Sequence, residues 1–199
     1  MIKDLDDTIK AALQTLAAPN SLLASADISF DQPDKAWRDL LHKLTVNCYL
    51  YDIRQNMAMR TNEPIVVRSA DNMRATRVLP PARIDCAYCI TAWSPAQTGA
   101  VFEEHRLLSQ VLRLFLQYPM LPQAVLMGSL STQLPPFPGI AASQEGVKNM
   151  PEFWNALDQK LKPSLNYIVT LAMLPEDIPA DNAMGDVARK ITVDADHLE

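Results

Sequence analysis

Residues that usually carry chemistry are scarce in this sequence. Its five glycines, at 99, 128, 139, 146 and 185, form no G-x-G-x-x-G, no P-loop and no G-x-S-x-G, so no backbone cradle for phosphate and no nucleophile elbow is legible. The three histidines, His42, His105 and His197, fall in separate segments without an H-E-x-x-H or comparable ligand pair. Cys48, Cys86 and Cys89 are an odd number. The opening MIKDLDDTIK lacks the basic and apolar regions of a secretory signal. The expectation is therefore a cytoplasmic chain with free thiols rather than a disulfide framework. Long apolar runs are missing too: the stretch Val111 to Leu116 is broken by Arg113, far short of the roughly 20 residues that span a bilayer, so no membrane partner is expected. A net charge of -5 and a pI near 5.2 oppose nucleic-acid binding, which needs a basic surface to displace phosphate counterions.

What is present is an ordinary globular composition. With 48% hydrophobic and 21% charged residues and a mean hydropathy of -0.05, disorder throughout is excluded, and 199 residues suit one domain. The charge is unevenly placed. Between Arg54 and Arg83 lie Arg54, Arg60, Arg68, Arg74, Arg77 and Arg83 against only Glu63 and Asp71, so this stretch carries +4 and the remainder -9. All six bases are arginine.

Apolar residues at Ile2, Leu5, Ile9, Ala12, Leu13 and Leu16 have the three-and-four spacing of an amphipathic helix that Pro19 and Asn20 end. Ala26, Ile28 and Phe30 alternate as a half-buried strand, and Trp37, Leu40, Leu41 and Leu44 return to helical spacing. Thr45 to Arg54 is rich in β-branched and aromatic residues and predicts a central strand. Pro64 to Arg68 and Thr76 to Leu79 flank the polar SADNMRA segment and predict a hairpin carrying part of the arginine cluster. RIDCAYCITAW alternates fully, with Ile84, Cys86, Tyr88, Ile90 and Ala92 on one face. Ala100, Val101, Leu107, Leu108, Val111, Leu112 and Phe115 make the stripe of a long helix, with Glu103, Arg106, Gln110 and Arg113 outward. A short strand is expected within Ala124 to Leu130, then a Pro- and Gly-rich surface loop to Gly146. A helix from Pro151 to Leu161 with Phe153, Trp154, Leu157 and Leu161 inward and a strand from Leu165 to Met173 complete the series. The order predicts an α+β fold. Its sheet is largely antiparallel or mixed, and an N-terminal helix, a long central helix and a short helix pack on it. The expected division is one domain over 1–174 and an acidic tail over 175–199. That tail holds seven acids against Arg189 and Lys190, a weak edge strand near VARKITV, and a terminal Leu198-Glu199 of expression-vector type.

Two motifs suggest chemistry and are better explained by structure. Cys86 and Cys89 are spaced as C-x-x-C, but residues three apart on a strand face opposite ways and cannot share a metal or form a disulfide. Glu103-Glu104-His105 places carboxylates beside an imidazole, yet adjacent helical positions diverge by about 100°. No catalytic residue, metal ligand or cofactor-binding residue is assigned. The arginine cluster has two readings: a solvated hairpin face, or a docking surface for an acidic partner, since arginine forms bidentate pairs with carboxylates and is favoured at interfaces.

Several segments in order resemble a known family. They are MIKDLDDTIKAAL, ISFDQP, VNCYLYDIRQN, PPARIDCAYCITAWS, EEHRLLSQVLRLF and FWNALDQKLKPSLNYIVTL, spanning about residues 1–174. They resemble the N-terminal domain of the cap, or tail-terminator, proteins of extracellular contractile injection systems of the antifeeding-prophage and virulence-cassette kind; Gln55 departs from a pattern that is acidic at that position. The resemblance implies a non-enzymatic protein, without cofactor, that closes an inner tube and sheath as an oligomeric ring, a hexamer. Its implied partners are the tube and sheath proteins of a phage tail-like particle released from the cell. The alternatives are an adaptor, or a small-ligand binder using the arginine hairpin or a pocket near Trp93, His105 and the 131–146 loop; an enzyme using that pocket is a further one.

Overall fold

Alternation along one strand organises the larger sheet. A computed structural model of the chain describes residues 1–61, 63, 65–68, 74–78, 80–132, 138–173 and 192–194, with only the backbone in 65–68, 74–78 and 192–194. The elements in chain order are α1 (Ile2–Thr15), α2 (Leu22–Ser25), β1 (Asp27–Ser29), α3 (Lys35–Asp39), β2 (Thr45–Gln55), β3 (Ile65–Arg68), β4 (Arg74–Val78), β5 (Ala82–Trp93), α4 (Ala100–Gln117), β6 (Gly139–Ala141), α5 (Met150–Ala156), β7 (Leu165–Met173) and β8 (Thr192–Asp194). The fold is α+β. One sheet has the order β1-β2-β5-β7-β6 and is mixed, with β1 parallel to β2 and β6 antiparallel to β7. The other has the order β3-β4-β8 and is antiparallel. The chain forms two compact units, Met1–Arg54 with Asp85–Leu171, and Gln55–Ile84 with Ala172–Glu199.

In the first unit β5 is buried at every residue from Cys86 to Trp93, so both its faces are covered. On one side the Tyr88 hydroxyl donates to Asp6 of α1 at 2.7 Å, and Phe115 of α4 stacks on Tyr167 of β7 with ring centroids 4.0 Å apart. On the other, Cys89 and Trp93 form a cluster with Trp154 and Leu157, against which Trp37, Leu41, Tyr49 and Phe153 pack. The long helix thus lies on the Tyr88 face as the periodicity predicts, but its buried stripe is Leu107, Val111, Leu114 and Phe115. Val101 is 57% exposed, Leu108 is only half-buried, and Gln110 turns inward, its side-chain oxygen accepting from the Leu23 N–H at 2.9 Å. That bond holds α2, a one-turn helix capped by Ser21 that the sequence pattern does not announce.

Four further expectations are corrected, three of them by a competitor for the backbone. The helix through Trp37 stops at Asp39, leaving Leu40 72% exposed, because the Leu44 carbonyl accepts from the Asp27 N–H at 3.0 Å and commits the chain to β1 and β2. The segment Ala124 to Leu130 forms two 3-10 turns instead of a strand, Gln123–Val125 and Gly128–Thr132. Side chains of α1 take its donors: Met127 N–H bonds Thr8 Oγ1 at 2.9 Å and Ser129 N–H bonds Asp4 at 3.1 Å. Gly128, at φ +54°, sits so close to the Asp4 carboxylate that a Cβ there would displace it. Within the expected loop, residues 139–141 form β6. The last helix ends at Ala156, because Asp158 at φ +51° reverses the chain and Gln159 N–H bonds the Trp154 carbonyl at 3.0 Å, so Leu161 is 64% exposed. Pro64, Leu79 and most of the expected acidic tail lie outside the described residues; Thr192–Asp194 forms β8 at the edge of the smaller sheet.

Truncating a fully buried stripe residue leaves a cavity, so Leu107→Ala should lower stability by about 2–5 kcal/mol and Leu108→Ala by clearly less, read from urea-denaturation midpoints. The Asp4 carboxyl is held down at about 2 by bonds from the Ser129 hydroxyl and N–H. A pKa depressed on folding stabilises above the unfolded value and ceases to do so as pH falls through the folded one. The stability gap between the wild type and Asp4→Asn should therefore be full above pH 4 and shrink as pH falls from 4 to 2, measured by thermal melts across that range.

Candidate functional site

The six arginines are divided between the two units. Arg54, near the end of β2 in the first, pairs with Asp52 through Nε at 2.7 Å. Arg60, Arg68, Arg74, Arg77 and Arg83 belong to the second. Arg60 is exposed, and Arg83 is half-buried with its carbonyl accepting from the Asn56 N–H at 2.8 Å. The hairpin register aligns Val66 with Arg77 and Arg68 with Ala75, so positions 66, 68, 75 and 77 share one face, whereas position 74 belongs to the other and aligns with Asp194 of β8. The hairpin predicted from sequence is present, and its backbone groups Arg68 with Arg77 but not with Arg74.

Two clefts open on the first unit. The larger, about 1130 Å³, brings Trp93 and His105 together, as one alternative reading of the sequence requires, but none of the described residues of the 131–146 loop lines it. Its polar centre is already engaged: Glu104 pairs with Lys162, whose ammonium lies 4.5 Å from the Trp93 ring centroid, and the other Glu104 oxygen accepts from the Ser94 N–H at 3.1 Å. Burial pulls Lys162 below the ordinary lysine value, with Glu104 opposing it. This arrangement fastens the start of α4 to the chain after α5. His105 is exposed.

The smaller cleft, about 920 Å³, lies over the sheet beside the 144–148 loop and was not anticipated. Tyr49, Tyr51 and Phe153 form its aromatic floor, with Phe153 centred 6.3 and 5.8 Å from the two tyrosine rings. The Tyr51 hydroxyl donates to Asn166 at 2.6 Å, and Asn166 in turn donates to the Glu145 carbonyl, which fixes the loop over the sheet. Asp52, Asp85 and Glu145 bring carboxylates to the lining, with Arg54 and Lys148 beside them. Asp85 accepts from the Thr170 hydroxyl at 2.6 Å. The signal in the sequence was Tyr49-Leu50-Tyr51, two aromatics at strand spacing.

All three cysteines are buried and free. Burial pushes Cys86 and Cys89 up to about 11 each, and Cys48 higher still, so at neutral pH they are thiols rather than thiolates. Among the described residues no group of three or more His, Cys, Asp or Glu is placed to hold a metal ion, and no helix is long and apolar enough to cross a membrane. Cys86→Ser with Cys89→Ser should cost stability alone, about 1–3 kcal/mol per buried hydroxyl. Stoichiometric zinc in the wild type, absent from the double variant by elemental analysis, would contradict the assignment.

The fold has solved counterparts. It is similar to the sheath/tube terminator of an extracellular contractile injection system, PVC, in its extended state (TM-score 0.63, 23% identity), over 89% of this chain and 57% of that one. It is also similar to the anti-feeding prophage cap, a tube-terminating cap (TM-score 0.61, 23% identity), over 89% of this chain and 56% of that one. The chain thus spans little more than half the length of either. No curated protein matches the sequence significantly. The family model described as the Pvc16 N-terminal domain matches residues 4–185. The chain belongs to the Pvc16 N-terminal domain family.

Proposed function

We propose that this chain is part of a non-enzymatic assembly protein, a tail-terminator-like cap that closes the inner tube and sheath of a bacterial contractile injection system as a homo-oligomeric ring, a hexamer. The observation that carries the reading is the family match over residues 4–185, joined to a fold shared with one sheath/tube terminator and one tube-terminating cap. A terminator needs one surface complementary to the last ring of subunits and another that cannot continue the stack. Rings of this kind close through heterologous contacts, in which two different patches of each copy meet. Arg54, Arg60, Arg68, Arg74, Arg77 and Arg83 are the proposed partner-binding residues, because a +4 segment in a chain of net charge -5 is suited to acidic surfaces on neighbouring subunits. The domain that carries this role is 1–174, with 175–199 as an acidic extension, and the protein is made in the cytoplasm before joining a phage tail-like particle. No cofactor, nucleic acid or membrane is assigned to it.

Electron microscopy of particles assembled without the protein tests the reading. Tubes and sheaths should lose their uniform length, and restoring the protein should return it; particles of normal length in its absence would refute the cap function. Native mass spectrometry of the purified protein should show one closed ring. If exposed charge drives the contacts, ring formation should weaken as ionic strength rises, because the Debye length falls from about 10 Å at 0.1 M to about 3 Å at 1 M salt.

A further inference from the structure

The smaller cleft and the arginine hairpin are chemically complementary. A guanidinium favours an aromatic face beneath its plane and carboxylates at its edge. The cleft supplies both, in Tyr49, Tyr51 and Phe153 below and in Asp52 and Glu145 at the side. One carboxylate of the lining already pairs with a guanidinium: Asp52 holds Arg54 at 2.7 Å. Tyr51 is anchored through Asn166 to the 144–148 loop, so a floor tyrosine and the loop that carries Glu145 are tied together before any partner arrives. On the basic side, positions 68 and 77, both arginine, share one face of the β3–β4 hairpin.

We infer that the cleft is the receptor for the hairpin of a second copy of this chain, so that Arg68 and Arg77 of one protomer dock on the aromatic floor and carboxylates of the next. The inference rests on the ring reading above and names its contact. Two different patches meet, which is the heterologous geometry a closed ring requires.

Charge exchange between copies tests it. In the hairpin variant, Arg68→Glu with Arg77→Glu, and in the cleft variant, Asp52→Lys with Glu145→Lys, like charges face each other. Each alone should raise the concentration for half-association by about tenfold or more in sedimentation velocity. An equimolar mixture should return to near the wild-type value, because each reversed hairpin then meets a reversed cleft and each native hairpin a native one. Circular dichroism checks the fold, and Glu145→Lys alone, on an exposed loop, is the variant least able to disturb it. A cleft variant that self-associates as the wild type does, or a mixture no better than its components, overturns the inference; a cleft variant that self-associates normally but fails to cap particles assigns the cleft to a tube or sheath subunit instead. Particles capped by a wild type that is monomeric when purified would also overturn it while sparing the cap function. Self-association through this contact without any effect on particle length would do the reverse.

Discussion

The first unit is organised by the burial of one strand from two sides. Every residue of β5 from Cys86 to Trp93 is shielded, so each apolar side chain contributes to one of two separate cores and each polar one needs a partner inside the protein. Tyr88 finds Asp6 of α1, and the Trp93 indole N–H finds Thr91 of the same strand at 2.8 Å. Helices α1 and α4 close one face. Helices α3 and α5, each too short to be stable alone, close the other by contributing Trp37, Phe153 and Trp154. The same burial accounts for the thiols: Cys86 and Cys89 are small apolar packing groups in different cores, and the low-dielectric surroundings that suit them there suppress the thiolate.

The parts of the fold legible in the sequence were those in which hydrophobic period and element length agree. Helix α1 and strands β5 and β7 carry patterns of 3.6 or 2 residues and β2 a run rich in β-branched and aromatic residues, and their observed limits lie within a residue or two of those signals. Where the pattern failed, another bond, in one case a long-range one, had taken the backbone. Thr8 and Asp4 of α1 cap the 123–132 turns from more than a hundred residues away, and no local signal in Ala124 to Leu130 announces donors so distant. Leu161 and Leu40 have helical spacing from their helices but lie beyond a reversal that Asp158 makes and a strand entry that Leu44 makes. Val101 shows the reverse limit: an apolar residue in phase with a stripe stands 57% exposed in the lining of the larger cleft.

For the candidate site, sequence supplied charge and strand position but not grouping. Six arginines in thirty residues were conspicuous; that position 74 faces away from 68 and 77 required the hairpin register. The aromatic cleft was less visible, because its members come from β2, α5 and the 144–148 loop, separated by nearly a hundred residues of chain. The pairing of Trp93 with His105 was legible because β5 leads into α4 through a short connection. Its polar centre is occupied by Glu104 and Lys162, and Lys162 arrives from a segment that no local pattern links to Trp93.

The larger sheet is bounded on both sides by strands of three residues, β1 and β6. An unpaired strand edge is a row of donors and acceptors open to any other extended chain, and its capacity to recruit one grows with its length. Three residues offer too few such groups to hold a foreign strand in register. β1 covers β2 over Thr45–Asn47 and β6 covers β7 over Tyr167–Val169, so along these short strands contact between copies has to be decided by side chains, which can be selective where backbone cannot.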